Sequence, residues 1–397
     1  MAGPTIHSIE SLSEEVSSKS RPLCLYSGGL DGTYLLYYLS SKLGCSQVIA
    51  LTVDLGGDID REVTGQLCQQ LSAQWIIPDK QIEFAHDFVI PAIAAQATYL
   101  SGHPICASLS RPLMAKVACE VAKEFGCDII IHTSNQSQNS LRRFNGALAS
   151  LGFTGCFGSP FEMSPISREI KRHELHSIGI NVFDHRVHST DSNFWGREFE
   201  YGELDDPESL AIPEFLYQWT NSPSEKVGRN LTITFLNGVP IKLDGVTLDF
   251  VSLAKQINIT AGTFGLGRYV GLEEIAGGAK VQEVREMPAA YVLLDAYRRL
   301  ESCCVSAECI REKMHLEQLW VREAIEGRWY DPLRHAVQAF IQDIAERVTG
   351  EVSYELKLNC LRLRALKAEN PLYIRDRSQF EGHFENTRPS KIGDHRL

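Results

Sequence analysis

The stretch that most constrains the fold is Leu23-Cys24-Leu25-Tyr26-Ser27-Gly28-Gly29-Leu30-Asp31-Gly32-Thr33. Four mostly apolar residues of strand length run into Ser-Gly-Gly. An amphipathic helix then starts near Asp31, with Leu35, Leu36, Leu39 and Leu43 on one face. A strand that breaks at paired glycines and opens a helix is an anion cradle. Glycine lets the backbone approach, and the helix's unpaired N–H groups and positive dipole end face the anion. Ser27 and Thr33 add hydroxyl donors. The spacing is not the Walker form. A bound phosphate is the expectation, with a plain strand–helix connection as the bland alternative.

The following segments set that turn in a sheet. Val48-Ile49-Ala50-Leu51 reads as a strand ending in Val53-Asp54-Leu55-Gly56-Gly57, with a helix over Arg61 to Ser72 and a short strand at Trp75-Ile76-Ile77. A helix is expected from Val89 to Tyr99, and another opening at Arg111-Pro112 and running to Phe125, with proline in its first turn. Asp128 to Thr133 reads as a fourth strand. Strands alternating with helices imply a doubly wound parallel sheet that binds ligands at the strands' C-terminal ends. His132-Thr133-Ser134-Asn135 lies at one such end; His132 reads equally as a packing histidine or a phosphate neighbour. Ser167 caps a helix to Ser177. From Leu231 alternation and Asn237-Gly238 signal a hairpin, helices recur at 249–257, 290–301, 311–326 and 332–348, and 350–366 closes as paired strands. The second half is therefore expected as an α+β domain on an antiparallel sheet.

With 397 residues the chain divides into a flexible leader (1–20), a nucleotide-binding domain (21–165), a second domain (166–368) and a tail or oligomerisation arm (369–397). A net charge of −11 argues against a nucleic-acid partner, and no apolar run is long enough for a membrane span. Eleven scattered cysteines without zinc spacing read as reduced thiols of a cytoplasmic protein.

The order of further motifs is specific. The chain resembles the argininosuccinate synthase family, within the PP-loop ATP pyrophosphatases, from about Pro22 to Ile374. The resemblance rests on Tyr26 to Asp31, Val53 to Gly56, Ser108-Leu109-Ser110-Arg111-Pro112-Leu113, Asn139 with Arg143-Phe144, Ser167-Arg168-Glu169 and Asp191-x-Asn193-x-Trp195-Gly196-Arg197. Asn237 to Pro240, Gly265 to Arg268 and Glu346 to Glu351 extend it. It implies an ATP-dependent ligase: a ureido oxygen attacks the α-phosphate, pyrophosphate leaves, and an amine displaces AMP. Mg²⁺ would screen the phosphates without a protein cage, and a homotetramer is implied.

Carried over by motif, Leu25, Tyr26, Ser27, Gly28, Gly29, Leu30, Asp31, Gly32 and Thr33 would hold ATP, with Ser27 and Asp31 closest to the chemistry. Val53, His132 and Thr133 would complete the nucleotide site. His103, Ser108, Asn135, Asn139, Ser140, Arg143, Ser189, Glu198, Glu200, Glu273 and Arg285 fall at substrate positions. A guanidinium such as Arg143 suits a carboxylate, and Glu273 suits an α-ammonium.

The departures cluster in the substrate loops. Where the family's amino-acid loop reads Thr-Gly-Lys-Gly-Asn-Asp, this chain has Asn135-Gln136-Ser137-Gln138-Asn139-Ser140, losing a lysine, an aspartate and two glycines. Tyrosine positions hold His103 and Arg285, and a serine position holds Glu198. These changes imply a divergent ligase acting on a small amino-acid or ureido compound plus an amine. Argininosuccinate synthase activity itself and a non-catalytic relative stand as alternatives. An RNA-thiolating enzyme of the superfamily would need sulfur-handling cysteines and a basic face, and neither is visible.

Overall fold

The computed structural model describes residues 5–184, 188–221 and 227–386. Five parallel strands form the first sheet, in the spatial order Ala73–Ile76, Val48–Leu51, Pro22–Leu25, Ile129–Ile131, Cys156–Gly158. Strand order reverses beside Pro22–Leu25, whose Cys24 pairs with Ala50 on one side and Ile131 on the other. That reversal opens a crevice at the carboxyl ends, where the Ser-Gly-Gly turn lies. Both faces of the sheet are covered. Leu23, Ile49, Leu51 and Ile130 pack into one core, and Cys24, Val48, Ala50, Ile129 and Ile131 into another. Double burial is why these strands read as unbroken apolar runs.

The helix Leu30–Tyr37 continues through a wider turn over Tyr38–Lys42 and buries Leu35, Leu36 and Leu39 completely; Leu43 is only partly covered. Two expected helices differ. The one placed at Val89 to Tyr99 begins at Gln81 and stops at Ala94, because Gln96 takes a positive φ of 47°. Thr98–Tyr99 then pairs antiparallel with His103–Pro104. The next helix spans Ala107–Phe125 and holds Pro112 in its interior, where the missing N–H is the one that would have bonded Ser108 O. The expected loose leader is packed from Thr5 onward: Ser8 caps the helix Ile9–Glu15, and Ile6 and Leu12 are fully buried.

The second half carries two antiparallel sheets rather than one. A five-stranded sheet runs Val246–Thr247, Val239–Leu243, Arg229–Leu236, Gly350–Lys357, Cys360–Ala368. Its hairpin turns at Asn237 and Gly238, with φ of +51° and +80°, as the Asn-Gly signal requires. A four-stranded sheet runs Arg268–Glu274, Lys280–Glu286, Gly196–Glu200, Ser189–Asn193. Charged residues fill alternate positions of these last strands, so no apolar pattern announces them. Beyond Ala368, Leu372 N donates to Cys303 O (2.7 Å) and Arg377–Asn386 is helical; Pro389, expected to break the tail, lies outside the described residues.

One buried ion cluster ties the halves together. Lys313 Nζ, fully buried, donates to Ala94 O (2.6 Å) and meets Glu301 (2.8 Å) and Glu317 (2.5 Å), while Arg298 bonds both carboxylates. Removing the amine strands two desolvated carboxylates on one guanidinium. Lys313→Met should cost about 3–5 kcal/mol, read as a lowered urea midpoint, and adding Glu301→Gln should restore part of it.

Candidate functional site

The turn after Pro22–Leu25 is the exposed end of a buried strand. Ser27 is exposed, Gly28 has φ +75°, and Gly29 sits at the N-cap of the following helix. The first backbone bond of that helix, Thr33 N to Gly29 O (3.0 Å), leaves the preceding amides facing the crevice. A Cβ at Gly28 would stand 2.7 Å from Thr64 Oγ1, and one at Gly32 would stand 2.7 Å from the Tyr26 ring. The turn thus has the glycines and free helix-terminal amides that suit backbone contact with an anion such as a phosphate. Thr33 is turned inward: its hydroxyl donates to Gly29 O (2.8 Å) and meets Tyr26 Oη (2.9 Å), which holds the turn rather than lining its mouth.

Asp31 bonds Lys171 Nζ at 2.8 Å. Lys171 is 5% exposed and lies 4.0 Å over the Phe161 ring, on the helix Arg168–His176 that Ser167 caps. Sequence reasoning passed over this lysine. Val53 is buried at the end of its strand, beside Thr52, whose hydroxyl donates to Tyr26 O. Thr133 is half-buried at the end of its own strand. His132 is enclosed: it stacks on Phe144 (5.0 Å), meets Asn145 Oδ1 through Nε2 (2.9 Å), and burial pushes its pKa down to about 4. It is a neutral packing histidine.

The second part of the site is one face of the four-stranded sheet. Side chains alternate across a strand, so Glu198 and Glu200 share that face with Glu283 and Arg285 of the paired strand. Arg285 meets Glu198 (2.9 Å), Glu273 (3.0 Å) and Glu283 (3.2 Å), and donates to Pro104 O (2.8 Å). Arg143 meets Glu273 at 2.5 Å and donates to Ile325 O. Asn139 Nδ2 donates to Glu273 Oε1 (2.7 Å) and Glu274 O (2.9 Å). Burial alone would raise the Glu273 pKa; Arg143, His103, Arg285 and Asn139 instead hold it well below the usual range. Burial pushes Glu200 up to about 7, with Glu198 adding to it, and pushes Glu283 up to about 8 against the pull of Arg285. Burial also lowers the His103 pKa, and its ring stacks on Tyr99 over Gly271.

A cavity of ≈ 200 Å³ opens between this face and the loop 135–140. It brings together Asn139, Ser140, Arg143, Glu198, Glu200 and Arg285 of the expected substrate residues. Glu273 and His103 stand behind Arg285, while Ser108, Asn135 and Ser189 do not line the cavity. Ser108 is buried in the first turn of its helix, and Ser189 opens its strand opposite Glu200. Asn135 Oδ1 is taken by Ser137 N (2.9 Å) and Ser137 Oγ (2.6 Å). No residue from 135 to 140 has a positive φ, in keeping with the absence of glycine there. Glu283, Gln138, Tyr201 and Arg111 were not anticipated; the alternating charges of Gly196–Glu200 and Lys280–Glu286 are the signal that could have found the first. Tyr201 has φ +77°, accepts a bond from Gln138 Nε2 (3.1 Å), and has the Arg168 guanidinium 5.5 Å over its ring. The helix bearing Arg168 and Lys171 therefore touches both cradle and cavity. Among the described residues no group of three or more His, Cys, Asp or Glu could hold a metal ion.

A parallel sheet with a glycine turn at its reversal point, followed by an antiparallel domain bearing a polar cavity, defines a two-part α/β nucleotide-binding enzyme. The family description "Arginosuccinate synthase N-terminal HUP domain" matches residues 22–156, and "Arginosuccinate synthase C-terminal domain" matches 188–391. Argininosuccinate synthase of Symbiobacterium thermophilum is 35% identical over 345 residues, covering 85% of this chain and 86% of its own length. That of Pyrococcus furiosus is 34% identical over 356 residues, covering 89% and 86%. Among solved structures, the NH3-dependent NAD synthetase of Campylobacter jejuni aligns over 49% of this chain and 74% of its own, at 17% identity and a TM-score of 0.30. The chain belongs to the argininosuccinate synthase family, whose members are ATP-dependent ligases forming C–N bonds.

Two outcomes test this geometry. Gly28→Ala forces a side chain into a left-handed position against Thr64, costing about 1–2 kcal/mol, and should weaken ATP binding at least about tenfold in calorimetry. Arg285→Tyr leaves Glu198 and Glu283 buried without their cation, costing about 3–5 kcal/mol. Adding Glu198→Ser should return at least about 1 kcal/mol of that in denaturant unfolding, since the two positions act as one unit.

Proposed function

We propose that this protein is an ATP-dependent ligase that activates a carbonyl-type oxygen as its adenylate and joins the carbon to an amine, on a pair other than citrulline and aspartate. The observation that carries the reading is an intact phosphate cradle beside a cavity whose walls depart from the family pattern at 137, 140, 198 and 285, with a further departure at 103 behind Arg285. Two of those departures, Glu198 and Arg285, contact each other at 2.9 Å, so the cavity is remodelled as a unit rather than damaged.

In the first step the substrate oxygen attacks the α-phosphorus, a P–O bond forms, and the α–β bridge breaks with its electron pair leaving on pyrophosphate. The amides of Gly28, Gly29 and Leu30 hold the phosphates through the helix terminus. Lys171 fixes Asp31 at the cradle's edge. Mg²⁺, carried by the triphosphate rather than by a protein cage, would neutralise the phosphate charge there. In the second step the amine attacks the activated carbon, a C–N bond forms, the C–O bond breaks, AMP leaves with the electron pair, and the amine's protons are lost. The cavity walls position the two reactants and exclude water, as an in-line displacement requires.

Eleven free thiols support a reducing, cytoplasmic setting, and the family resemblance supports a homotetramer with a C-terminal arm from 369, both open to fractionation and light scattering. Pyrophosphate release should be measured with ATP, Mg²⁺ and a panel of ureido, amide and acid compounds paired with amines. At least one pair should exceed citrulline plus aspartate by tenfold or more, because each lost charged contact costs about 1.5–3 kcal/mol. Full turnover on citrulline plus aspartate would make the protein an ordinary argininosuccinate synthase. Silence across the panel, with ATP bound, would leave it a nucleotide-binding relative.

A further inference from the structure

The cavity's three guanidinium groups each stand against carboxylates of the protein itself. Arg111 bonds Asp191 (2.7 Å), Arg143 bonds Glu273 (2.5 Å), and Arg285 spans Glu198, Glu273 and Glu283. The loop position that is lysine in the family is Ser137, folded onto Asn135. Among the described residues Lys280, exposed at the rim, is the cavity-lining cation outside any ion pair. The guanidinium groups inside are thus already matched to carboxylates of the protein, although Arg285 Nε and Glu198 Oε1, 2.9 Å apart, make no hydrogen bond.

Acceptors are in surplus instead. Both hydrogens of Asn139 Nδ2 are used by Glu273 and Glu274, which fixes the amide's orientation. Its Oδ1 is then left with no hydrogen-bond partner, on a cavity-lining residue only 7% exposed. Glu200 is in no ion pair among the described residues, its one contact being Gln138 Nε2 at 3.4 Å. A buried acceptor without a donor is costly, and the unpaired Glu200 carboxyl, which lines the same cavity, calls for the same partner, a cationic N–H group.

We propose that the amine joined by this enzyme carries no carboxylate: the cavity takes an alkylammonium or diammonium compound, its head received by Asn139 Oδ1 and Glu200. This rests on the ligase reading and names the class of its second reactant. The family's aspartate at position 140 is here Ser140, whose hydroxyl accepts from Arg111 Nε (3.2 Å), so on this loop the ammonium is met by Asn139 rather than by residue 140. The groups facing Glu200 are Glu198 on its own strand, Asp191 on one neighbour, Glu283 and Arg285 on the other, Arg111 from the helix beneath and the Tyr201 hydroxyl. Burial and the adjacent carboxylates hold the Glu200 pKa up to about 7. Docking a cation lowers it, so binding releases a proton at pH 7 and tightens as pH rises from 6 to 8, by up to about tenfold.

Calorimetry on the full chain, with a non-hydrolysable ATP analogue present, tests this directly. 1,4-Diaminobutane, 1,5-diaminopentane and agmatine are compared with ornithine, lysine and arginine, which keep the same side chains and add a carboxylate. The amines should bind at least tenfold more tightly and release a proton. Glu200→Gln should weaken them about tenfold or more, abolish the pH dependence, and leave binding of the ATP analogue unchanged. Equal or tighter binding of the amino acids, or no amine binding while the analogue binds, overturns this inference and leaves the ligase reading standing. Failure to bind the analogue overturns the ligase reading itself.

Discussion

The Arg285 guanidinium is the interaction on which the rest of the site depends. Three carboxylates converge on it inside the fold, and a carboxylate taken out of water without such a partner is among the most costly groups a protein can bury. The sheet solves this by register: Glu198 faces Arg285 across paired strands, and Glu283 lies two residues from it on the same face. Arg143 and Asn139 then close the network from the other domain through Glu273, so the first sheet's loops and the second domain share one electrostatic centre. Glu198 and Arg285, two positions at which the sequence departs from the family motifs, are found in contact.

The cradle obeys a different economy. Its parts are backbone amides and a left-handed glycine, supported by side chains that never reach the ligand. Thr33 and Tyr26 brace the turn from inside, and Thr64 packs where any side chain at Gly28 would go. Because the turn is made of peptide groups, its shape does not depend on the side chains that line the neighbouring cavity.

The parallel sheet was legible because its strands are buried on both faces and broken by glycine-bearing ends; the Leu23 to Thr33 stretch alone places the cradle. Helix limits were less so, since Gln96 and Pro112 act through tertiary context: a positive φ ends one helix, and a proline sits inside another. The four-stranded sheet was illegible to hydrophobic pattern, because its buried face is made of Glu198, Glu200, Glu283 and Arg285 rather than apolar residues. Motif resemblance found Glu198, Glu200, Glu273 and Arg285 as positions but not as partners, and it gave no hint of Lys171 or Tyr201, whose roles come from a helix far along the chain. The enclosure of His132 by Phe144 and Asn145 likewise follows from packing that its place at a strand end does not reveal.

The helix Arg168–His176 reaches both parts of the site. One turn apart, Lys171 grips the edge of the phosphate turn and Arg168 lies over Tyr201 on the cavity wall, whose backbone is held in a conformation that few side chains adopt. A rigid rod anchored at two stations cannot shift at one without moving the other. A substitution that displaces this helix would therefore disturb the phosphate turn and the cavity wall together.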